Sequence, residues 1–226
     1  NPAPPFTLEL SSNLRGPTVQ WPEPLGKTAR ETRPLNIRLR PRAGNTLELM
    51  LDYGANGRAA LEIADFSHHP RLTRGELRFN AGMATLPEKP GLVIVADLPR
   101  WTLAALALSP ANPLPENETT TGAAFWRDVR RVDARIGELI VGQNSFAGVT
   151  LHAAREDKTL RVDLTGETLV GRVTVPDQPT AERPVNVALQ RLHLRSAPES
   201  TSSRSEPASP HLLDPRRWPP LVVTAT

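Results

Sequence analysis

The chain has 226 residues, and its 27 Lys and Arg against 24 Asp and Glu give a formal charge of only +3. Its five Phe, four Trp and one Tyr are scattered, so the clustered basic and aromatic surface of a nucleic-acid-binding protein is not predicted. The absence of cysteine excludes disulfides and thiolate-bound metals, and no apolar run reaches the roughly 18 residues that a transmembrane helix needs.

Short segments that alternate apolar with polar residues recur along the chain, and turns separate them. Residues 34–40, 46–52 and 158–165 place nearly every apolar side chain on alternate positions. A period of two is typical of a β-strand with one apolar and one polar face. Asn56 and Gly57 stand between two such segments, which predicts a hairpin with a type I′ turn. The sequence therefore predicts an all-β protein with about ten strands.

Some later segments depart from simple alternation. Residues 91–98 are almost wholly apolar, which predicts a strand that is covered on both faces. The residues around Trp101 are predicted to form a short helix or an irregular crossing. The alternation slips at Gly137, and Leu189 and Leu192 lie on opposite phases. A bulge or a bend is predicted at each of these two places.

Proline-rich segments predict the domain organisation. The sequence does not begin with Met and ends abruptly, so we expect it to be part of a longer protein. The predicted units are a first β-sheet segment over 1–109 with a proline-rich crossing at 21–34, a linker at 110–122, a second β-sheet segment over 123–195, a mobile Ser/Pro-rich loop at 196–213, and the start of a next repeat at 214–226.

No group of side chains in the sequence predicts catalysis. His68 and His69 are adjacent and would point to opposite faces of a strand, and no cysteine or carboxylate is spaced to complete a metal site with them. Ser145 lacks the Gly-x-Ser-x-Gly elbow of hydrolases. A phosphate-binding glycine motif is also missing. We therefore predict that the protein is not an enzyme and uses no cofactor or metal.

The remaining candidate site is apolar surface. If the strands pair in sequence order, their apolar positions would form one continuous face. The alternation alone favours the sealed core of a β-sandwich, whereas the scarcity of large aromatic residues and the spacing of the linkers favour an open groove made of hairpin units. Both alternatives remain open. The candidate groove residues are Leu8, Leu10, Ile37, Leu39, Leu47, Leu49, Leu51, Leu61, Ile63, Leu77, Phe79, Ile136, Leu160, Val162 and Leu164.

The segments between the strands resemble those of the YhdP family. In that family a strand that ends in Leu-x-Gly precedes a Leu-Pro-x-Pro-Leu-x-Lys crossing. Residues 12–16 and 21–27 resemble this arrangement, with Trp21 where the family more often has Leu. Further segments that resemble strand units of these AsmA-like proteins follow in order at 133–151, 169–176 and 192–221.

The resemblance implies an elongated, curved, mainly antiparallel sheet of repeating hairpin units that forms an apolar groove. It implies a large protein that is anchored in the inner membrane of Gram-negative bacteria, is mostly periplasmic, and is similar to bridge-like lipid transfer proteins. The implied partners are phospholipid acyl chains, together with inner- and outer-membrane components that the rest of the parent chain would contact. The implied role is phospholipid movement towards the outer membrane, which supports the permeability barrier. The alternative is a non-enzymatic structural or interaction β-sandwich module of a large cell-envelope protein.

Overall fold

A computed structural model describes residues 6–19, 25–103, 128–141, 144–193 and 220–225. The predicted linker at 110–122 and the predicted loop at 196–213 lie outside the described residues. The strands are β1 (Leu8–Ser12), β2 (Leu35–Arg42), β3 (Thr46–Tyr53), β4 (Gly57–Ala64), β5 (Arg71–Phe79), β6 (Gly91–Leu103), β7 (Val129–Val141), β8 (Asn144–Glu156), β9 (Thr159–Thr165), β10 (Leu169–Pro176), β11 (Val185–Leu192) and β12 (Leu221–Ala225).

The twelve strands form one sheet whose spatial order is the chain order, from β1 to β12. Consecutive strands from β1 to β5 and from β8 to β11 pair antiparallel. β6 runs parallel to β5, and β12 runs parallel to β11. The prediction of an all-β, mainly antiparallel fold is therefore confirmed.

The chain divides into two compact units. Unit 1 contains residues 1–98 and 128–134, and unit 2 contains residues 99–127 and 135–226. β6 and β7 contribute residues to both units, because each strand crosses the boundary.

The predicted hairpin at Asn56 and Gly57 connects β3 to β4, but its turn differs from the predicted type. Tyr53 pairs with Gly57, so the loop has three residues, 54–56. Gly54 has a positive φ of 59°, whereas Asn56 and Gly57 do not have positive φ values. The type I′ prediction is wrong, since the register places Gly57 within β4 and leaves no two-residue loop.

Bulges interrupt the register at two places in the described strand pairings. The irregularity predicted between Leu189 and Leu192 is confirmed, because Gly171 pairs with Leu189 while Val170 pairs with Arg191, and Gln190 is skipped. A second bulge, which we did not predict, lies in β5 at Thr73. The Thr73 hydroxyl donates a hydrogen bond of 2.9 Å to the Glu62 carbonyl, so a side chain stabilises the interrupted ladder there.

β6 confirms one prediction and corrects another. Leu92 and Val93 are adjacent, point to opposite faces, and are 1% and 5% exposed, so this strand is covered on both sides. β6 continues to Leu103, and the helix or irregular crossing predicted around Trp101 is therefore wrong for residues 100–103. Aromatic and β-branched residues suit a strand once a neighbouring strand is available, and β7 is that neighbour.

Gly137 in β7 occupies a place where a side chain would meet backbone. A Cβ on Gly137 would lie 2.6 Å from the carbonyl oxygen of Pro99. We expect Gly137→Ala to lower the free energy of unfolding by about 1–3 kcal/mol, the usual cost of an inserted group that the backbone must accommodate. Urea-induced unfolding measures this free energy.

Gly166→Ala is the matched control in the same unit. Its added Cβ would meet no atom nearer than 3.4 Å, which is ordinary van der Waals contact. We expect a change within about 0.5 kcal/mol for this variant. Equal losses of stability in the two variants would contradict the close approach of Gly137 to Pro99.

Candidate functional site

The register brings the predicted apolar residues of unit 1 onto one face of the sheet. Leu39 opposes Leu8 and Leu49, and Leu49 opposes Leu61 on its other side. Residues that directly oppose each other in a ladder point to the same face. We call this surface the leucine face; it comprises Leu8, Leu10, Ile37, Leu39, Leu47, Leu49, Leu51, Leu61, Ile63, Leu77 and Phe79.

Exposure along the leucine face changes from strand to strand. Leu8 and Leu10 in β1 are 46% and 49% exposed, and the leucine-face residues of β2 and β3 are half-buried. Leu92 in β6 and Val129 in β7 are 1% and 0% exposed. The leucine face is therefore open at β1, half-buried from β2 to β5, and closed where it meets β6.

A cluster of buried residues closes the β6 end of the face. Leu92, Ile94 and Val129 form its centre. The sequence did not single out Leu92 and Ile94, because 91–96 is apolar on both strand phases and does not reveal which phase joins which face. The predicted set of apolar face residues also omitted Leu72. The bulge at Thr73 places Leu72 on the same face as Leu77, although the two residues have opposite phases in the sequence. The half-buried residues that pack against the cluster are Leu61, Leu72, Leu77, Phe79 and Val132.

No second sheet of described residues covers the open part of the leucine face. All twelve described strands belong to one sheet. The sealed core of a sandwich would require a facing sheet about 10 Å away. Leu8 and Leu10 accordingly keep about half of their surface exposed.

The opposite face of unit 1 is charged, and its charges pair with one another. Such pairs on a surface each contribute at most about 1 kcal/mol, but together they leave this face with few uncompensated charges. The ion pairs across neighbouring strands include Arg38–Glu9 at 2.8 Å, Arg42–Glu48 at 2.6 Å, Arg58–Asp52 at 2.8 Å and Arg74–Glu62 at 2.7 Å.

The connection between β5 and β6, residues 80–90, runs over part of the charged face. The backbone N–H of Thr85 donates a hydrogen bond of 2.8 Å to Glu76, and Arg78 donates one of 2.9 Å to the same carboxylate. Glu76 is only 7% exposed. Burial by itself raises the pKa of Glu76, but the hydrogen bonds from Arg78 and Thr85 outweigh it and hold the pKa below its ordinary value.

This lowered pKa predicts a dependence of stability on pH. The pKa of Glu76 is lower in the folded state than in the unfolded state. Glu76 therefore stabilises the folded state fully above its unfolded-state pKa, and this stabilisation is lost as the pH falls through its folded-state pKa. We expect Glu76→Gln to be less stable than the wild type at pH 7, and the difference to shrink in acid. Urea unfolding at pH 7 and pH 3 measures it. A difference that stayed constant with pH would contradict the assignment.

Unit 2 has its own apolar face. Val162 opposes Ala153 and Val173, and Val187 opposes Val173 on its other side. Of the predicted site residues, Leu160, Val162 and Leu164 in β9 are half-buried, and the register places them on this face. Ile136 in β7 is 2% exposed, so little of its surface remains for a ligand. On the opposite face Arg172 donates a hydrogen bond of 2.5 Å to Asp163.

The contacts of His68 do not have the geometry of a catalytic triad. The Ser67 hydroxyl and one Asp65 carboxylate oxygen lie 3.0 Å and 3.4 Å from the same ring nitrogen of His68, Nδ1. A catalytic triad requires the acid and the nucleophile on different ring nitrogens. Within the described ranges, no three His, Cys, Asp or Glu residues are grouped so that they could hold a metal ion.

Comparison with known families classifies the chain. A family model described as YhdP protein matches residues 1–226. The chain belongs to the YhdP family. Membership suggests an AsmA-like protein of the cell envelope. No curated protein and no solved structure matches the sequence.

For this YhdP-family chain, the described residues include no helix with the length and apolar composition needed to cross a membrane. Among the described residues, the leucine face combines continuous apolar rows with two exposed leucines, Leu8 and Leu10. The candidate site of this YhdP-family protein is therefore a surface rather than a cluster of reactive groups.

Proposed function

We propose that this chain is a segment of an inner-membrane-anchored, periplasmic lipid-transport bridge. In this proposal the leucine face is the wall of a hydrophobic β-groove that carries phospholipid acyl chains towards the outer membrane and so supports its permeability barrier. The protein is not an enzyme and needs no cofactor. Membership of the YhdP family supports the proposal. The main structural support is the leucine face, on which Leu8 and Leu10 are about half exposed.

The energetics of an acyl chain fit such a surface. Each methylene that leaves water gains about 0.8 kcal/mol, so a chain of about 16 carbons would lose on the order of 12 kcal/mol on entering water. The rows of the leucine face repeat at the strand spacing of about 4.8 Å. An acyl chain that moves from strand to strand therefore meets similar apolar side chains at each step, which keeps the barrier to sliding small.

The composition of the face favours passage over selective binding. A specific small-molecule pocket needs a few polar groups that converge on the ligand. The leucine face is lined by Leu, Ile and Phe, whereas the ion pairs Arg38–Glu9, Arg42–Glu48 and Arg74–Glu62 lie on the other face. Such a surface would hold acyl chains of many lengths with little discrimination.

The alternative function is a non-enzymatic structural or interaction module of a large envelope protein. The buried cluster of Leu92, Ile94 and Val129 favours it, because that cluster stabilises unit 1 without any ligand. This alternative predicts that the leucine face binds no lipid.

The absence of cysteine allows a test that distinguishes the two faces. Single cysteines replace Leu49 or Met50, which are adjacent in β3 and point to opposite faces, and each carries an environment-sensitive fluorophore. The full chain is then mixed with vesicles of phosphatidylethanolamine with brominated acyl chains, which quench on contact. We expect strong quenching at position 49 and little at position 50. Equal quenching, or none at position 49, would contradict the proposed function.

A further inference from the structure

An irregular arm extends the hairpin of β1 and β2. We define the arm as residues 13–19 and 25–33, which form its two limbs. The N–H of Arg33 donates to the carbonyl of Asn13 at 2.9 Å. Further out, Val19 and Lys27 exchange two backbone hydrogen bonds of 3.0 Å and 3.1 Å. The two limbs therefore form an ordered structure and not two separate loops.

The arm lies against one end of the leucine face. The Tyr53 hydroxyl donates a hydrogen bond of 2.8 Å to the carbonyl of Leu25. A Cβ on Gly57 would lie 3.3 Å from Cδ2 of Leu25. Tyr53 and Gly57 oppose each other in the ladder on the strand phase of the leucine face. The Leu25 side chain therefore rests on this face, in the space that the missing side chain of Gly57 leaves.

Two cationic side chains fix the shape and position of the arm. Lys27 is 4% exposed, and its ammonium group donates hydrogen bonds to the carbonyls of Pro17 in one limb and Thr28 in the other. A buried ammonium group is tolerated only while such acceptors stay in place, so Lys27 holds the limbs together. The guanidinium carbon of Arg33 lies 5.1 Å from the centre of the Tyr53 ring, within the range of a cation–π contact.

We propose that the arm is a side wall of the leucine face and that Leu25 contacts the acyl chain that lies there. This inference rests on the proposed lipid-carrying function. The leucine face ends at the row of Tyr53 and Gly57, beyond which an acyl chain would meet water. Leu25 extends the apolar surface across that end, and the Tyr53 hydroxyl determines where Leu25 lies.

Photo-cross-linking tests this assignment in the full chain. A benzophenone amino acid replaces Leu25, Leu49 or Met50, and the probe is a vesicle of phosphatidylethanolamine with tritiated acyl chains. We expect cross-linked label at positions 25 and 49. We expect no label at position 50, which lies on the charged face. Label at 49 without label at 25 would overturn the side wall and leave the proposed function standing. Absence of label at both 25 and 49 would overturn the proposed function itself.

Tyr53→Phe provides the second variant, because it removes the hydrogen bond to Leu25 and keeps the aromatic ring. Labelling at position 25 is expected to fall about threefold, since one hydrogen bond of this kind shifts an equilibrium by a few-fold. Labelling at position 49 in the same variant is expected to be retained. Unchanged labelling at position 25 would overturn the positioning role of Tyr53.

Discussion

Leu49→Asp is expected to remove most of the phospholipid that binds the chain, while the chain remains folded. Leu49 lies in β3, within the half-buried part of the leucine face, between Leu39 and Leu61. A carboxylate there would face the acyl chain and would have to lose its hydration whenever lipid passed. The side chain is half-buried, so we expect a loss of about 1–3 kcal/mol in the free energy of unfolding, which a stable domain survives. Lipid extraction and urea unfolding measure the two effects.

Met50→Asp is the matched control for this variant. Met50 is the next residue of β3 and points to the opposite, charged face, so the same charge is added one position away. We expect it to retain bound phospholipid at the wild-type level. Equal loss of phospholipid in both variants would show that charge in β3 disturbs the fold and not the lipid surface.

Leu92→Ala is expected to lower the free energy of unfolding by about 2–5 kcal/mol, as buried leucines do when truncated. Leu92 is 1% exposed and packs at the centre of the cluster with Ile94 and Val129. Atom Cδ1 of Leu92 also lies 3.3 Å from the place that a Cβ on Gly75 would occupy. Its removal would leave a cavity that the neighbouring strands cannot easily fill.

Leu8→Ala tests whether this effect belongs to the buried cluster. Leu8 lies on the same leucine face but is 46% exposed on the edge strand β1. We expect a loss below about 1 kcal/mol, since little of its surface is buried. Urea unfolding of both variants makes the comparison. Similar losses for Leu8→Ala and Leu92→Ala would contradict the gradient from an open to a closed face.

Period-two alternation was sufficient to predict most strands and which side chains share a face. The reason is local: a strand places alternate residues on opposite sides whatever its partners are. Leu39 and Leu49 therefore share a face as soon as their strands pair in order. The bulge between Leu189 and Leu192 was also predictable, because a change of phase within one strand requires an extra residue.

Other features depend on contacts that the local pattern does not contain. The parallel pairing of β6 with β5 depends on the path of residues 80–90, which cross the charged face through Thr85 and its contact with Glu76. The bulge at Thr73 is an exception, because Leu72 and Leu77 lie on opposite strand phases and so mark it in the sequence, although we did not predict it. Exposure on the leucine face depends on tertiary packing, so the sequence did not separate the open residue Leu10 from the closed end at Leu92.

The two faces of unit 1 differ in how many of their side chains find partners within the chain. The charged face pairs its arginines with carboxylates, as Arg74 does with Glu62. The leucine face leaves about half of Leu8 and Leu10 in contact with the surroundings. Exposed apolar surface of this kind on a protein commonly marks a binding site, and this difference between the faces is the physical basis of the proposed function.

Native mass spectrometry of the full chain, purified gently from a Gram-negative host, tests the central claim most directly. The account predicts phospholipid bound to the folded wild-type chain, and its loss in Leu49→Asp but not in Met50→Asp. A lipid-free wild-type chain that unfolds cooperatively would contradict the account and would favour a structural or interaction module.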